Sequence, residues 1–226
     1  MDKAKILKQS LIFSSLNEDE LAGLAGLAGL AIEHNFMPGE FIFWDGDAPE
    51  WFYIVAEGRI KVIKHSSLGK EFIVAFFGPS EMFGEVAVFE HKPYPASAQA
   101  VAETKVLGIK REDLLAFLTQ HPQVALRIIS VLGGRLRDAQ NRLKDLAGER
   151  VEQRLARTLI MLSAKLGSTL PFTKQELADM SGTTTETTIR SMSRLKSGGI
   201  IRSTRGKIII LDETKLKLLS EGSPQV

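Results

Sequence analysis

Cysteine is absent from all 226 residues of this chain. Its absence excludes disulfides, a cysteine nucleophile, and zinc or iron–sulfur sites with cysteine ligands. The chain also has no run of about 18 apolar residues, so we predict that no segment spans a membrane. Its first residues lack the long apolar core of a signal peptide, and we therefore expect a cytoplasmic location.

The residue sets that mark common enzymes are also missing. The sequence has no paired nucleophile and base, no cluster of metal ligands, and no glycine-rich phosphate loop carrying a lysine. Its charge is unevenly spread: residues 147–226 hold 13 lysines and arginines against 8 acidic residues, whereas residues 1–146 hold 16 against 19. A basic C-terminal part favours a module that binds nucleic acid, and we predict that the chain is not an enzyme.

The segment Phe172 to Leu195 has the pattern of a helix-turn-helix. Thr173 and Glu176 have the spacing of a capping box, which predicts the start of a first short helix. Gly182 can adopt the backbone angles that a turn between two helices requires. Plain helical hairpins show the same pattern, so this segment alone does not establish DNA binding.

A second helix is predicted to begin at another capping box, Thr183 with Glu186, and Thr184 is the alternative cap. One side of this helix presents polar and charged residues suited to the major groove. Arg190 can bind guanine through a forked pair of hydrogen bonds, and Glu186 can accept one from cytosine N4. These residue types predict a helix that reads bases.

The residues after this helix predict a wing. Two short β-rich runs flank the segment 204–207, which indicates a hairpin with a basic tip near the phosphate backbone of bound DNA. Helix, turn, helix and basic hairpin together predict a winged helix. The predicted contacts to double-stranded DNA are Thr173, Lys174, Gln175, Thr184, Thr185, Glu186, Ile189, Arg190, Arg205 and Lys207.

The N-terminal part has a different pattern. Residues 5–34 are predicted to be helical, with a leucine at every third position from Leu21 that would cover a neighbouring sheet. From Glu33 to Lys110 short β runs alternate with glycine-containing turns, which predicts an antiparallel sandwich or barrel. The chain as a whole is therefore predicted to belong to the α+β class.

A long helix is predicted from Pro122 to Gly148. Its apolar residues recur at alternating spacings of three and four, the pattern of a coiled-coil seam over most of three heptads. Packing on its own domain would also use such residues, but the regular spacing favours a homodimer that binds two half-sites. The predicted seam consists of Ile129, Leu132, Leu136, Ala139, Leu143 and Leu146.

Four segments carry a resemblance that covers essentially the whole chain: GEFIFWDGD (39–47), YIVAEGRIKV (53–62), MFGEVAVFE (82–90) and TKQELADMSGTTTETTIR (173–190). They resemble the Crp/Fnr superfamily of bacterial transcription regulators. The resemblance implies a jelly-roll-like β-roll of the cyclic-nucleotide-binding type at 1–121, a dimerisation helix at 122–148 and a winged helix-turn-helix domain at 149–226. It also implies control by an effector, and RNA polymerase as the protein partner of an activator.

The resemblance assigns the family's base-reading glutamate and arginine to Glu186 and Arg190. Members similar to the cAMP receptor have one more arginine at the position of Thr185, so we expect a half-site nearer to the TTGA type of Fnr-like members. Ile189 either touches a thymine methyl or lies on a slightly rotated helix. The sequence leaves both interpretations open.

The resemblance also argues against cAMP as effector. Cyclic-nucleotide-binding members have Gly-Glu followed, ten residues after the glutamate, by Arg-Ser, whose arginine neutralises the phosphate. Here Pro95 and Ala96 occupy those positions, and a buried phosphate without a cation would be costly. Fnr-style oxygen sensing needs a cluster held by cysteine, which this chain lacks. The candidate effector pocket comprises Gly84, Glu85, Val86, Pro95, Ala96 and Ser97.

The segment EVAVFEHKPYPASAQA (85–100) resembles regulators of nitrosative stress and denitrification, some of which bind haem and respond to nitric oxide. Haem often takes an axial histidine, and His91 and His121 are the candidates, although each also fits an ordinary surface position. Another small molecule, or no effector, is the alternative. A cyclic-nucleotide-binding regulatory subunit is a remote alternative, because the winged helix speaks against it.

Overall fold

The structure is a computed structural model that describes residues 2–14, 16–65, 71–148, 150–204 and 206–221. The chain divides into two compact units between Arg137 and Asp138. This boundary lies inside the long helix that the sequence predicts as a segment of its own. The first half of that helix belongs to the first unit because Val124 and Ile128 are buried in its core.

In its described residues, the first unit combines helices with eight β-strands. Its helices are α1 (Lys3–Gln9), α2 (Glu18–Leu30), α3 (Glu85–Glu90), α4 (Arg111–Gln120) and the beginning of α5 (Pro122–Gly148). Its strands are β1 (Ile32–Phe36), β2 (Phe41–Phe43), β3 (Trp51–Glu57), β4 (Ile60–His65), β5 (Glu71–Phe77), β6 (Met82–Phe83), β7 (Ser97–Ala100) and β8 (Thr104–Lys110).

The strands form two antiparallel four-stranded sheets, ordered β1-β8-β3-β6 and β2-β7-β4-β5. Strand β3 shows how the two cores arise from period-two alternation. Tyr53 and Val55 point into an aromatic-rich core between the sheets, whereas Phe52 and Ile54 pack against the helices on the outer face. The predicted antiparallel sandwich and α+β class are confirmed.

The region predicted to be helical, residues 5–34, forms two helices with a break between them, and its last residues belong to strand β1. The chain leaves α1 at Ser10, and α2 begins at a capping box in which Asn17 and Glu20 satisfy each other's backbone amides. The leucine repeat then buries Leu24 and Leu27 against the sheet, while Leu30 turns outward. Within the described part of the chain, no helix is long and apolar enough to cross a membrane.

The second unit begins at Asp138, within α5. It contains α6 (Val151–Leu166), β9 (Thr169–Leu170), α7 (Lys174–Met180), α8 (Thr185–Ser197), β10 (Ile201–Thr204), β11 (Lys207–Ile210) and α9 (Glu213–Ser220). Strands β10 and β11 form the predicted hairpin, and β9 pairs with β11 to complete a three-stranded sheet. Helices α7 and α8 precede this hairpin, as a winged helix requires.

Candidate DNA-binding surface and effector-side cluster

Helix α7 begins as the sequence predicts. The Thr173 hydroxyl accepts a hydrogen bond from the Glu176 amide at 3.2 Å, and the Glu176 carboxylate accepts one from the Thr173 amide at 2.7 Å. At the turn that follows, Gly182 has a φ of +61°, a left-handed conformation that side chains disfavour. The predicted capping box and the predicted role of the glycine are both confirmed.

The predicted capping box of Thr183 with Glu186 at the start of α8 is wrong, and the alternative cap, Thr184, is confirmed. Thr184, and not Thr183, is the N-cap, because its hydroxyl accepts a hydrogen bond from the Thr187 amide at 3.2 Å. The Thr183 amide instead donates to the Ala178 carbonyl at 3.0 Å and closes the turn. Glu186 therefore has no capping role and its carboxylate is left for other contacts.

The burial of α8 identifies its outward face. Thr188, Ser191, Met192 and Leu195 are buried at helical spacing against the rest of the unit. Glu186, Ile189 and Arg190 lie on the opposite, exposed side. The helix is therefore not rotated so as to bury Ile189, which is 41% exposed.

The two arginines of α8 differ in their ion pairing. Arg194 is held by Glu152 of α6, with 2.6 Å between guanidinium and carboxylate. Among the described residues, Arg190 and Glu186 have no ion-pair or hydrogen-bond partner for their charged groups. An exposed guanidinium and an exposed carboxylate one helical turn apart can both bond to base edges.

Thr185 differs from these open side chains. Its hydroxyl donates to the Gln175 side-chain carbonyl, and the Gln175 amide donates to Asp179 at 2.9 Å. This chain of hydrogen bonds joins α7 to the start of α8 and orients Gln175. Lys174 is exposed beside it on the first turn of α7.

Arg154 of α6 forms hydrogen bonds with the turn between α7 and α8. Its guanidinium donates to the Ser181 carbonyl at 3.0 Å and to the Gly182 carbonyl at 3.2 Å. These bonds satisfy carbonyl groups at the end of α7, where a helix leaves acceptors unpaired. The sequence analysis missed Arg154, since no local pattern links it to a turn 27 residues away.

The wing brings the predicted basic tip to the end of the β10–β11 hairpin. Thr204 pairs with Lys207 across the tip, and Lys207 is exposed. Arg205, the other predicted contact, lies outside the described residues.

In the first unit, the Gly84-Glu85 pair starts helix α3. Gly84 is the N-cap in a left-handed conformation with a φ of +78°. A Cβ on Gly84 would lie 3.3 Å from atoms of Trp51, Tyr53 and Tyr94, so only glycine fits without displacement. Glu85 follows directly, and its side chain is only 7% exposed.

Arg135 of α5 is the cation that Glu85 binds. Its guanidinium lies 2.8 Å from the Glu85 carboxylate, donates to the Met82 carbonyl at 2.6 Å, and covers the Phe77 ring at 4.6 Å. This role of Arg135 was not predicted from the sequence. The signal that could have identified Arg135 is its spacing from Val124 and Ile128, which places it on the same face of the helix as these two buried residues.

The remaining predicted effector residues differ in exposure. Pro95 and Val86 lie at the surface, whereas Ala96 and Ser97 are buried, and the Ser97 hydroxyl accepts from the Asp45 amide at 2.9 Å. Next to them, Tyr94 stacks on Phe43 at 3.8 Å. The Tyr94 hydroxyl donates to the Trp51 carbonyl at 2.5 Å, and burial raises the pKa of Tyr94 to about 12.

The two candidate haem histidines do not lie in an apolar slot. His121 ends α4, stacks against Phe117 at 4.4 Å and packs onto Gly23, where a Cβ would come within 2.5 Å of its Nε2. His91 is exposed at the end of α3, beside a cleft of about 490 Å³. This cleft is lined by Ala48, Pro49, Glu50, Trp51, His91, Lys110, Arg111 and Glu112. Charged walls do not suit the largely apolar faces of haem.

Helix α5 carries an exposed apolar line. Leu126, Ile129, Leu136 and Leu143 are each between 61% and 67% exposed in the single chain. Leu132, another residue of the predicted seam, packs partly buried against the core of its own unit. Ala139 is exposed, and the Leu146 side chain lies outside the described residues.

Comparisons with known proteins agree with this architecture. The cyclic nucleotide-binding domain family matches residues 33–121, and the Crp-like helix-turn-helix domain family matches residues 153–219. The "Cyclic AMP receptor protein" of Thermus thermophilus is 32% identical over 218 residues, covering 96% of this chain and 99% of that protein. The "CRP-like cAMP-activated global transcriptional regulator" of Mycobacterium tuberculosis is 27% identical over 220 residues, covering 94% of this chain and 97% of that protein.

A solved structure shows the same fold. FixK2 from Bradyrhizobium japonicum matches with a TM-score of 0.76 at 25% identity, covering 84% of this chain and 96% of that chain. The relatives are regulators of transcription rather than enzymes, in agreement with the sequence analysis. With full-length coverage at 32% identity and both domain families in the expected order, the chain belongs to the Crp/Fnr family of transcription regulators.

Proposed function

We propose that this regulator binds, as a homodimer, an operator of two half-sites and reads each half-site with α8. The observation that carries the proposal is the outward pair of Glu186 and Arg190, which have no partner among the described residues. A capped helix start, an exposed lysine beside it and the basic wing supply phosphate contacts, which fix the register of the reading helix. Base contacts from Glu186 and Arg190 then supply specificity.

A comparison of Arg190→Ala with Arg194→Ala tests this function. Operators are selected from random duplexes, and affinity is measured for selected and unrelated DNA at several salt concentrations. Arg190→Ala is expected to reduce the ratio of specific to unspecific affinity by about 5- to 150-fold for each half-site that the dimer contacts. Arg194→Ala is the matched control, because Glu152 holds that guanidinium, and it is expected to leave the ratio unchanged. Failure to select any sequence would overturn the proposal.

We also propose that the effector site lies around Glu85 and that its ligand is not cAMP. The two named relatives are called cAMP-responsive, but this chain has no lysine or arginine between Lys92 and Lys105 to neutralise a cyclic phosphate. Glu85 is itself bound to Arg135 of the long helix. A ligand that displaces or tightens this contact would alter α5 directly, which links effector binding to the dimer and thus to DNA affinity.

Thermal unfolding with and without cAMP tests the ligand. No stabilisation is expected at concentrations that stabilise the Thermus thermophilus relative, which serves as positive control. A saturable rise in the unfolding temperature, accompanied by tighter operator binding, would show that cAMP is the effector after all.

Haem is the second effector suggested by the sequence, through segment 85–100, but the described residues around His91 and His121 do not fit it. We therefore derive no step through haem. Titration with ferrous haem, with and without nitric oxide, is the direct test. No saturable Soret band is expected, and a band that shifts with nitric oxide and is lost in His91→Ala or His121→Ala would reverse this assignment.

As a transcription activator, the bound dimer is proposed to contact RNA polymerase at the promoter. Transcription in vitro with purified polymerase, from a promoter with a selected operator placed upstream, measures this effect. An increase in transcript that depends on the operator is expected. An unchanged transcript level at full operator occupancy would contradict activation.

A further inference from the structure

Ile189 is an apolar side chain in the middle of the surface that is proposed to read DNA. It is 41% exposed, although the buried face of α8 is formed by Thr188, Ser191, Met192 and Leu195. Single exposed leucines occur elsewhere in the second unit and need no explanation. Ile189 differs from them because it lies between Glu186 and Arg190 on one exposed face.

The hydroxyl groups around Ile189 are engaged in hydrogen bonds within the second unit. The hydroxyls of Thr184 and Thr187 lie 2.9 Å apart and bond to each other, and the Thr185 hydroxyl donates to Gln175. One turn further along, the Ser193 hydroxyl donates to the Ile189 carbonyl at 2.9 Å and so folds back onto the helix. The centre of the face is therefore aliphatic and is flanked by one carboxylate and one guanidinium.

Only one base presents an apolar group of this kind in the major groove. Thymine carries a 5-methyl group, whereas the other edges present hydrogen-bond donors and acceptors. Isoleucine is branched at Cβ and has few rotamers on a helix, so it loses little freedom when it packs against a methyl group. We propose that Ile189 reads a thymine methyl next to the base pair that Glu186 and Arg190 read. This inference rests on the proposed function and assigns part of its specificity to an apolar contact.

Uracil substitution tests the contact, because uracil differs from thymine only by the missing methyl. Each thymine of the selected operator is replaced in turn by uracil, symmetrically in both half-sites. In the unchanged protein, one position per half-site is expected to lose about fourfold in affinity for each methyl group removed, the amount expected for burying one methyl-sized group, and therefore about 15-fold when both half-sites carry uracil. That position should adjoin the base pair at which Arg190→Ala relaxes specificity.

Two variants assign the effect to Ile189. Ile189→Ala should bind the thymine operator more weakly and should no longer distinguish thymine from uracil, whereas Ile189→Val should keep most of the distinction. Both should unfold at the temperature of the unchanged protein, because Ile189 is not part of the core. Selected operators without uracil sensitivity, or equal sensitivity in Ile189→Ala, would overturn this inference alone. Failure to select any operator would overturn the proposed function, and this inference with it.

Discussion

At the scale of a single residue, Arg135 makes three distinct interactions: an ion pair with Glu85, a hydrogen bond to the Met82 carbonyl and a cation–π contact with Phe77. Removing the guanidinium would leave a carboxylate that is only 7% exposed without a counter-charge. We expect Arg135→Met to lower the free energy of unfolding by about 2 kcal/mol. Urea denaturation, followed by the fluorescence of the two tryptophans, Trp44 and Trp51, measures this loss.

The double variant Glu85→Gln with Arg135→Met is the control for that prediction. Because it removes the buried charge together with its partner, most of the lost stability is expected to return. If the single variant were as stable as the unchanged protein, the pair would have no structural role.

Tyr94 gives a pH-dependent prediction at the same scale. Burial raises the pKa of Tyr94 from 10.0 to about 12, so the folded protein keeps a proton that the unfolded chain has already released. This contribution to stability is complete below pH 10 and is lost as the pH rises from 10 to about 12. Tyr94→Phe should therefore show a smaller loss of stability across this range, although its stability below pH 10 is lower. Equal slopes for both proteins would contradict the assignment.

At the scale of elements, the start of α8 can be tested with neighbouring threonines. Thr184→Ala removes the hydroxyl that accepts the Thr187 amide and should cost about 1 kcal/mol of unfolding free energy. Thr183→Ala is the matched control and should cost less, because only the backbone of Thr183 takes part in the turn. Denaturation curves for both variants decide between the two caps. A larger loss for Thr183→Ala would favour Thr183 as the N-cap, the first of the two caps that the sequence suggests.

The same two threonines show what can be predicted from sequence. Spacing identifies a helix start to within one residue, since Thr183 and Thr184 both satisfy it and only the hydrogen bond separates them. The capping box at Thr173, the wing and the long helix were predictable because each depends on neighbours in the sequence. Arg135 with Glu85 joins residues 50 positions apart, and no periodicity specifies such a pair. The two-residue strand β9 was missed because it forms only by pairing with β11.

The exposed apolar face of helix α5 matters both for this element and for the assembly of the whole molecule. Four of its residues form an exposed apolar line, whereas Leu132 packs against its own unit. This difference could not be predicted, because the spacing of apolar residues does not say which of two neighbouring stripes of the helix faces the core. The line at Leu126, Ile129, Leu136 and Leu143 is therefore the proposed dimer contact. Gly133 lies between two of these residues and would allow a partner helix to approach closely.

At the scale of the whole molecule, Leu136→Glu tests whether this line holds the dimer together. Leu136 is 61% exposed in the single chain, so a glutamate there should leave the fold of each chain unchanged. In a dimer it would place a carboxylate inside an apolar contact, which is costly. Sedimentation should then show the 24.9 kDa chain instead of a species of twice that mass. Operator affinity should fall by about two orders of magnitude or more, because one chain can occupy only one half-site. Asp138→Ala, on another side of the same helix, should preserve both the dimer and the affinity; a dimeric Leu136→Glu protein would place the dimer contact elsewhere.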